Sequence, residues 1–207
     1  ICVNGNDVNP FYGAPGQSVY SEEVYYQTYD LTEAVKKGEN AIGIMLGHGR
    51  YDRAKGDWGD ALALCAQLVI HYKDGTKQII GTDDTWSVCV DGPIRNDDIY
   101  LGEYYDASYE QEGWTVASYD ETKNGKWFKA EIYDEQAEVP KWAMPDNGIK
   151  CLETLKPVTV TEPVAGTYVY DFGKNFNGVC RVQLTGKAGD TVTMRYAEYL
   201  NSDDLLQ

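Results

Sequence analysis

The sequence predicts an all-β protein: a jelly-roll-like β-sandwich over residues 1–134, a linker over 135–148, and over 149–207 the first strands of a second, incomplete β-sandwich. Three observations lead there. Short apolar runs with period-two alternation recur along the chain, the spacing that puts residues on one face of a strand. Turn residues separate the runs, with 21 glycines in all. Seventeen tyrosines suit pleated, half-buried surfaces.

The elements follow in order. "ICVNGNDV" reads as a strand entering an Asn-Gly hairpin turn. "YYQTYDL" and "NAIGIMLG" are strand-like. Between them "LTEAVKKG" reads as one or two helical turns, with Thr32 as N-cap and Gly38 as the stop. "LALCAQLVIHYKDGTKQIIGT" gives two strands joined at Asp74-Gly75, and "TWSVCVDGPI" gives another strand. From Asp97 to Asp134 the text is acidic, aromatic and irregular, anchored by Trp114 and Trp127. "EQAEVPKWAMPDNG" mixes Pro, Gly and charge, as a connection does. After it "KPVTVTEP", "TYVYDFG", "GVCRVQLTG" and "DTVTMRYAEYL" alternate as four strands.

Composition excludes several functions. The formal charge is −15, from 33 acidic and 18 basic residues. Such a field repels phosphate backbones, so nucleic acid is not an expected partner. It suits neutral ligands, and hard cations where carboxylates converge. No apolar run reaches transmembrane length and no signal peptide is visible. Both ends read as cut from a longer polypeptide. The five cysteines lie too far apart for a zinc knuckle or redox pair. Cys65 and Cys89, within apolar runs, read as buried free thiols.

The ordered set "VNG … YYQTYDLTEAVKKGENAIGIMLGHGRY … AQLVIHYKDGT … TDDTWSV … GPI … DIYLGEYYDA" resembles the N-terminal β-sandwich of bacterial α-L-rhamnosidases, glycoside hydrolase family 78. "YVYDFGKNFNGVCRVQLTGKAGDTVTMRYAEYL" looks like the start of that family's concanavalin-like β domain. The resemblance implies a parent enzyme that hydrolyses terminal α-L-rhamnosides on an (α/α)₆ barrel lying outside this chain. The chain alone is then expected to be inactive, with no catalytic residue of its own. Its implied partners are rhamnose-containing glycans and the missing catalytic domain. The N-terminal sandwich is also similar to carbohydrate-binding modules that hold L-rhamnose with the help of calcium. The compartment stays open, with periplasmic or secreted ahead of cytoplasmic. One departure is plain: family members often carry an aromatic residue within "GxGWY", where this chain has Arg50 in "GHGRY".

The loop "GRYDRAKGDWGDA" is the leading binding candidate. Trp58 offers a stacking face, and Asp52, Asp57 and Asp60 offer carboxylates for sugar hydroxyls or for calcium. The competing reading is a solvated acidic loop with Trp58 closing one end of the sandwich. Glu103 and Asp106 match the family's "GE-x-YDA" pattern. They read as acceptors that pin an irregular segment, ahead of an acid–base pair. Of the two histidines, His71 is expected on the solvent face of a strand. His48 sits in a glycine-flanked loop that lacks the spacing of a phosphate loop. In "YDFGKNFNGVCRVQL", Asp171 and Asn175 flank a turn with Gly173 at positive φ, and Asn177-Gly178 suggests another. Arg181 or Glu198 would face the barrel from there. Three readings remain: a sugar-binding accessory region, a spacer without a ligand, and an independent hydrolase built on Glu103, Asp106 or Glu198.

Overall fold

The computed structural model describes residues 1–51, 61–123, 126–133, 138–187, 189–203 and 205. The chain is all-β, with a single short 3₁₀ turn at Ala107–Tyr109 among the described residues. Its strands are β1 (Cys2–Val3), β2 (Asn6–Asp7), β3 (Val24–Tyr26), β4 (Ile42–Gly43), β5 (Gln67–His71) and β6 (Lys77–Gly81). There follow β7 (Ser87–Cys89), β8 (Ile94–Asp98), β9 (Gly102–Tyr105), β10 (Trp127–Lys129), β11 (Lys141–Ala143), β12 (Thr159–Val164) and β13 (Thr167–Asp171). Two compact units divide it, Ile1–Lys150 and Cys151–Gln207.

In the first unit β1 lies between β2 and β4, both antiparallel to it. The Asn-Gly signal makes the β1–β2 hairpin. Asn4 at φ +51 and Gly5 at φ +84 supply the two left-handed residues that such a turn requires. The Asn4 side chain then ties in the next segment. Its amide donates to Ala34 O and Asn40 Oδ1, and its Oδ1 accepts from Ala41 N. Val3 is the one apolar side chain fully buried among the described residues.

The "LTEAVKKG" stretch makes one turn, the lower end of the one or two expected. Leu31 O accepts from both Ala34 N and Val35 N, which closes a single turn. Asp30, rather than Thr32, caps it by accepting from Thr32 N at 2.9 Å. A carboxylate two positions earlier reaches the first free donor of the turn with more charge.

β5 and β6 pair across the Asp74-Gly75 turn as expected, with His71 exposed. Cys65 precedes β5 and is exposed, contrary to the expected burial, and Cys89 is half-buried. All five cysteines are free thiols. The 97–134 stretch is more regular than its sequence suggests. It contributes to the β8–β9 hairpin and supplies β10, which pairs with β7. Within 135–148, β11 runs parallel to β3, so this stretch carries a sheet pairing of its own. Parallel pairing needs a partner far along the chain, which composition does not reveal.

The irregular segment before β10 is held by Gln111. Its Oε1 accepts from Tyr119 Oη at 2.6 Å and Trp127 Nε1 at 2.9 Å, and its Nε2 donates to Cys89 Sγ at 3.1 Å. The Tyr119 and Trp127 rings meet edge to face at 5.7 Å. Gln111→Leu keeps the bulk, takes the acceptor from the Tyr119 hydroxyl and leaves Trp127 Nε1 only its longer bond to Tyr119 Oη at 3.3 Å. The expected loss is about 1–3 kcal/mol of unfolding free energy, read from the urea midpoint, and an unchanged midpoint would remove Gln111 as the staple.

In the second unit β12 and β13 form an antiparallel hairpin with a bulge between Thr161 and Val164. The strands expected over "GVCRVQLTG" and "DTVTMRYAEYL" do not form among the described residues. A strand exists by its ladder, and alternation alone supplies no partner for it. The turn expected at Asn177-Gly178 is also absent. The bend falls at Gly173, at φ +73, where Phe172 and Phe176 meet edge to face at 5.4 Å.

Candidate functional site

The residues chosen from sequence as the sugar or calcium site, Asp52, Asp57, Trp58 and Asp60, lie outside the described residues. The structure describes the chain on either side of them, and the turn leading into that loop is built around one carboxylate. Tyr51 N donates to His48 O at 3.0 Å, closing the turn His48–Tyr51. Asp97, from β8, reaches it from 49 residues away. Asp97 Oδ1 accepts from His48 N at 2.9 Å and is 2.8 Å from His48 Nδ1, while Oδ2 accepts from Gly49 N at 2.8 Å. A carboxylate only accepts, so Nδ1 is the protonated ring nitrogen here. Two successive backbone N–H groups, the second on a left-handed residue (Gly49, φ +53), make a concave anion nest. The nest is filled from within the chain.

Both glycines of "GHG" are required. Gly49 supplies the positive φ. At Gly47 a Cβ would stand 2.9 Å from Asp97 Oδ2, an oxygen that its hydrogen bonds prevent from moving. Burial pushes the Asp97 pKa up. The Gly49 and His48 backbone bonds, then the His48 ring bond and its charge, outweigh that and leave it below the ordinary carboxylate value. In the register of β8 and β9, Glu103 stands directly opposite Asp97. Like charges across a ladder repel, and here the nest already balances one of them.

Aromatic rings surround the turn. The Arg50 guanidinium carbon lies 5.4 Å from the Tyr100 ring centroid, and Tyr20 and Tyr51 meet edge to face at 5.1 Å. Burial raises the Tyr20 pKa, with the Arg50 charge working against it and Tyr51 adding to it. Tyr100 is 63% exposed at the β8–β9 tip. Ile99 N donates to Gly49 O at 3.1 Å, tying that tip to the turn. Fixed rings, a guanidinium and a locked backbone suit recognition of a polyhydroxylated ligand. Sequence reading missed Asp97, Tyr20 and Tyr100, because Tyr20 and the β8–β9 hairpin that carries Asp97 and Tyr100 lie far from the turn in sequence.

The other singled-out residues are dispersed. Asp106 caps the 3₁₀ turn, accepting from Ser108 N at 2.9 Å and Ser108 Oγ at 2.7 Å, and these bonds lower its pKa. Glu103 is exposed on β9. Asp171 Oδ1 accepts from Gly173 N at 2.7 Å, while Asn175 and Glu198 are exposed. Among the described residues no group of three or more His, Cys, Asp or Glu is arranged to hold a metal, and no helix is long and apolar enough to cross a membrane.

Known proteins resemble this chain over nearly its whole length. Residues 1–124 match the family model "Alpha-L-rhamnosidase N-terminal domain", and residues 161–207 match "Bacterial alpha-L-rhamnosidase concanavalin-like domain". An alpha-L-rhamnosidase of Streptomyces avermitilis is 36% identical over 206 residues, which is 97% of this chain and 20% of that protein. One from an Alteromonas species is 32% identical over 98% of this chain and 22% of its own length. The crystal structure of the Streptomyces avermitilis alpha-L-rhamnosidase complexed with L-rhamnose superposes with a TM-score of 0.79 at 34% identity, covering 99% of this chain and 20% of that one. The chain thus spans about a fifth of the relatives it matches. It belongs to the alpha-L-rhamnosidase N-terminal domain family and continues, from residue 161, into sequence matching the bacterial alpha-L-rhamnosidase concanavalin-like domain.

Proposed function

We propose that this chain is the non-catalytic, carbohydrate-recognising region of an α-L-rhamnosidase that hydrolyses terminal α-L-rhamnosides on a domain outside it. The observation that supports this most is the ordered pair of domain matches, at residues 1–124 and 161–207, in relatives of which the chain covers about a fifth. The turn held by Asp97 carries Arg50, which lies over the Tyr100 ring, and Tyr51, and the residues that follow it in sequence include Asp52, Asp57, Trp58 and Asp60. In this reading Trp58 stacks on the sugar ring, and the three carboxylates hold hydroxyls directly or through calcium, a hard cation that prefers oxygen ligands. Calorimetry of the chain with L-rhamnose, in calcium and in chelator, tests it. Trp58→Ala is expected to weaken binding about tenfold, or about 1.4 kcal/mol. Absence of heat in both buffers rejects the recognition role. The chain alone is expected not to turn over a chromogenic α-L-rhamnoside.

A bracing role is the second reading, favoured by the apolar residues of the second unit. Val179 is 74% exposed and Tyr196 69%, and Val182, Leu184 and Val192 are at least half exposed. Apolar surface of this kind marks a contact face, and the partner in this reading is the remainder of the parent enzyme.

A further inference from the structure

We propose that residues 139–149 are a releasable latch. Docked on β3, they close an edge of the first unit. Released, they leave β3 without a ladder and lengthen the free chain that leads to the second unit.

The segment belongs to neither family match, since the first ends at residue 124 and the second begins at 161. It is nevertheless fastened along its length to the N-terminal part of the first unit. Val24 N donates to Pro140 O at 2.9 Å, Met144 N to Tyr26 O at 3.0 Å, and Tyr12 N to Ile149 O at 2.9 Å. Among the described residues β11 is the only strand that β3 pairs with. A strand needs a ladder to satisfy its backbone groups, so docking of the latch and formation of β3 are one event.

Two clasps hold the latch. Met144 is half-buried, and its Sδ accepts from Gly16 N at 3.4 Å, 128 residues away, and from Gln27 Nε2 at 3.3 Å. Thioether sulfur is a weak acceptor. Gly148, at φ +67, lets the backbone pass directly against the Phe11 ring, where a Cβ would overlap Cδ1. Elsewhere little is buried, and Lys141, Trp142 and Ala143 are all exposed. A segment with exposed backbone bonds and few buried contacts opens at a lower free energy than the core. The β1 region is the opposite case: Val3 is fully buried, and Asn4 N beside it donates to Ala41 O at 3.0 Å.

The docked latch leaves residues 150–157 before Val158 N, which donates to Asp171 O at 2.8 Å within the second unit. On release, residues 139–149 join that free stretch, and an extended chain spans about 3.3–3.6 Å per residue.

The test is residue-resolved amide hydrogen exchange on the intact 207-residue chain, corrected for intrinsic rates. The amides of Tyr12, Val24 and Met144 are expected to share one protection, about 100-fold lower than that of Asn4. Met144→Leu keeps the bulk and removes the sulfur acceptor, and is expected to speed the three latch amides about fivefold. Gly148→Ala drives a methyl into Phe11 and speeds them about tenfold. Gly43→Ala, which strains the core and not the latch, is expected to speed Asn4 and leave the three unchanged. Equal protection of Asn4 and the latch amides in the wild type overturns the proposal, because the segment then opens only with the whole unit. Acceleration of the latch amides by Gly43→Ala as large as that of Asn4 overturns it for the same reason. A Val24 amide that stays protected while Met144 exchanges also overturns it, because β3 then stands without the latch.

Discussion

Asp97→Ala is expected to lower the unfolding free energy by about 2–4 kcal/mol. It leaves three donors without their acceptor, namely His48 N, His48 Nδ1 and Gly49 N, in a pocket where the Asp97 side chain is only 16% exposed. Asp97→Asn keeps the shape but turns an amide N–H toward one of the three donors, so it recovers only part of the loss. The effect also has a pH signature. The folded pKa of Asp97 is depressed, so its stabilisation is fully present above the unfolded value of about 3.9 and disappears as pH falls through the folded value. The gap between wild type and Asp97→Ala in urea melts is therefore wide at neutral pH and closes below about pH 4. A gap of the same size at pH 7 and pH 2.5 (well below about 3.9) would mean that the carboxylate is not what the nest holds.

Gly43→Ala is expected to cost about 2–3 kcal/mol through overpacking. Gly43 sits on β4, opposite Cys2 of β1. The Trp114 ring lies directly against it. A Cβ here would overlap Trp114 Cζ3 and would stand 2.7 Å from Thr115 Cγ2 and 2.8 Å from Trp114 Cη2. Neither neighbour is a loose chain end. Thr115 is buried and its carbonyl accepts from Gly5 N at 3.0 Å, so it cannot retreat without opening the β1–β2 turn. Gly92→Ala is the control, because nothing lies within 4 Å of its added methyl and its φ is not positive. Thermal melts of the two variants that coincide would show that Trp114 does not pack where the structure has it.

The features that could be read from the sequence are those whose causes lie within a few residues. Asn4-Gly5 and Asp74-Gly75 make turns because each pair carries its own backbone preference. Trp127 anchors its segment as expected, because a large ring with one donor seeks a half-buried seat. Local reading failed where two mechanisms competed at the same spot. Asp30 and Thr32 are both capping residues two positions apart, and the charged one prevails. It failed also for "GVCRVQLTG", where alternation promises a strand but the ladder needs a neighbour.

The candidate site shows the same division. "GHGRY" carries two glycines and two ring-bearing residues, enough to mark a special turn and too little to say what fills it. The ligand of that nest is a carboxylate 49 residues away, brought in by β8. The sequence by itself determined the all-β class, the Asn4-Gly5 and Asp74-Gly75 turns and the family, since hydrophobic alternation, turn chemistry and an ordered set of motifs are all written along the chain. Only the tertiary structure decided that Asp97 closes the His48–Gly49 nest, that Arg50 lies over Tyr100, and that β11 pairs with β3. Hydrogen bonds and ring contacts act through space at about 3–6 Å, and no spacing along a sequence encodes which distant segment will arrive there.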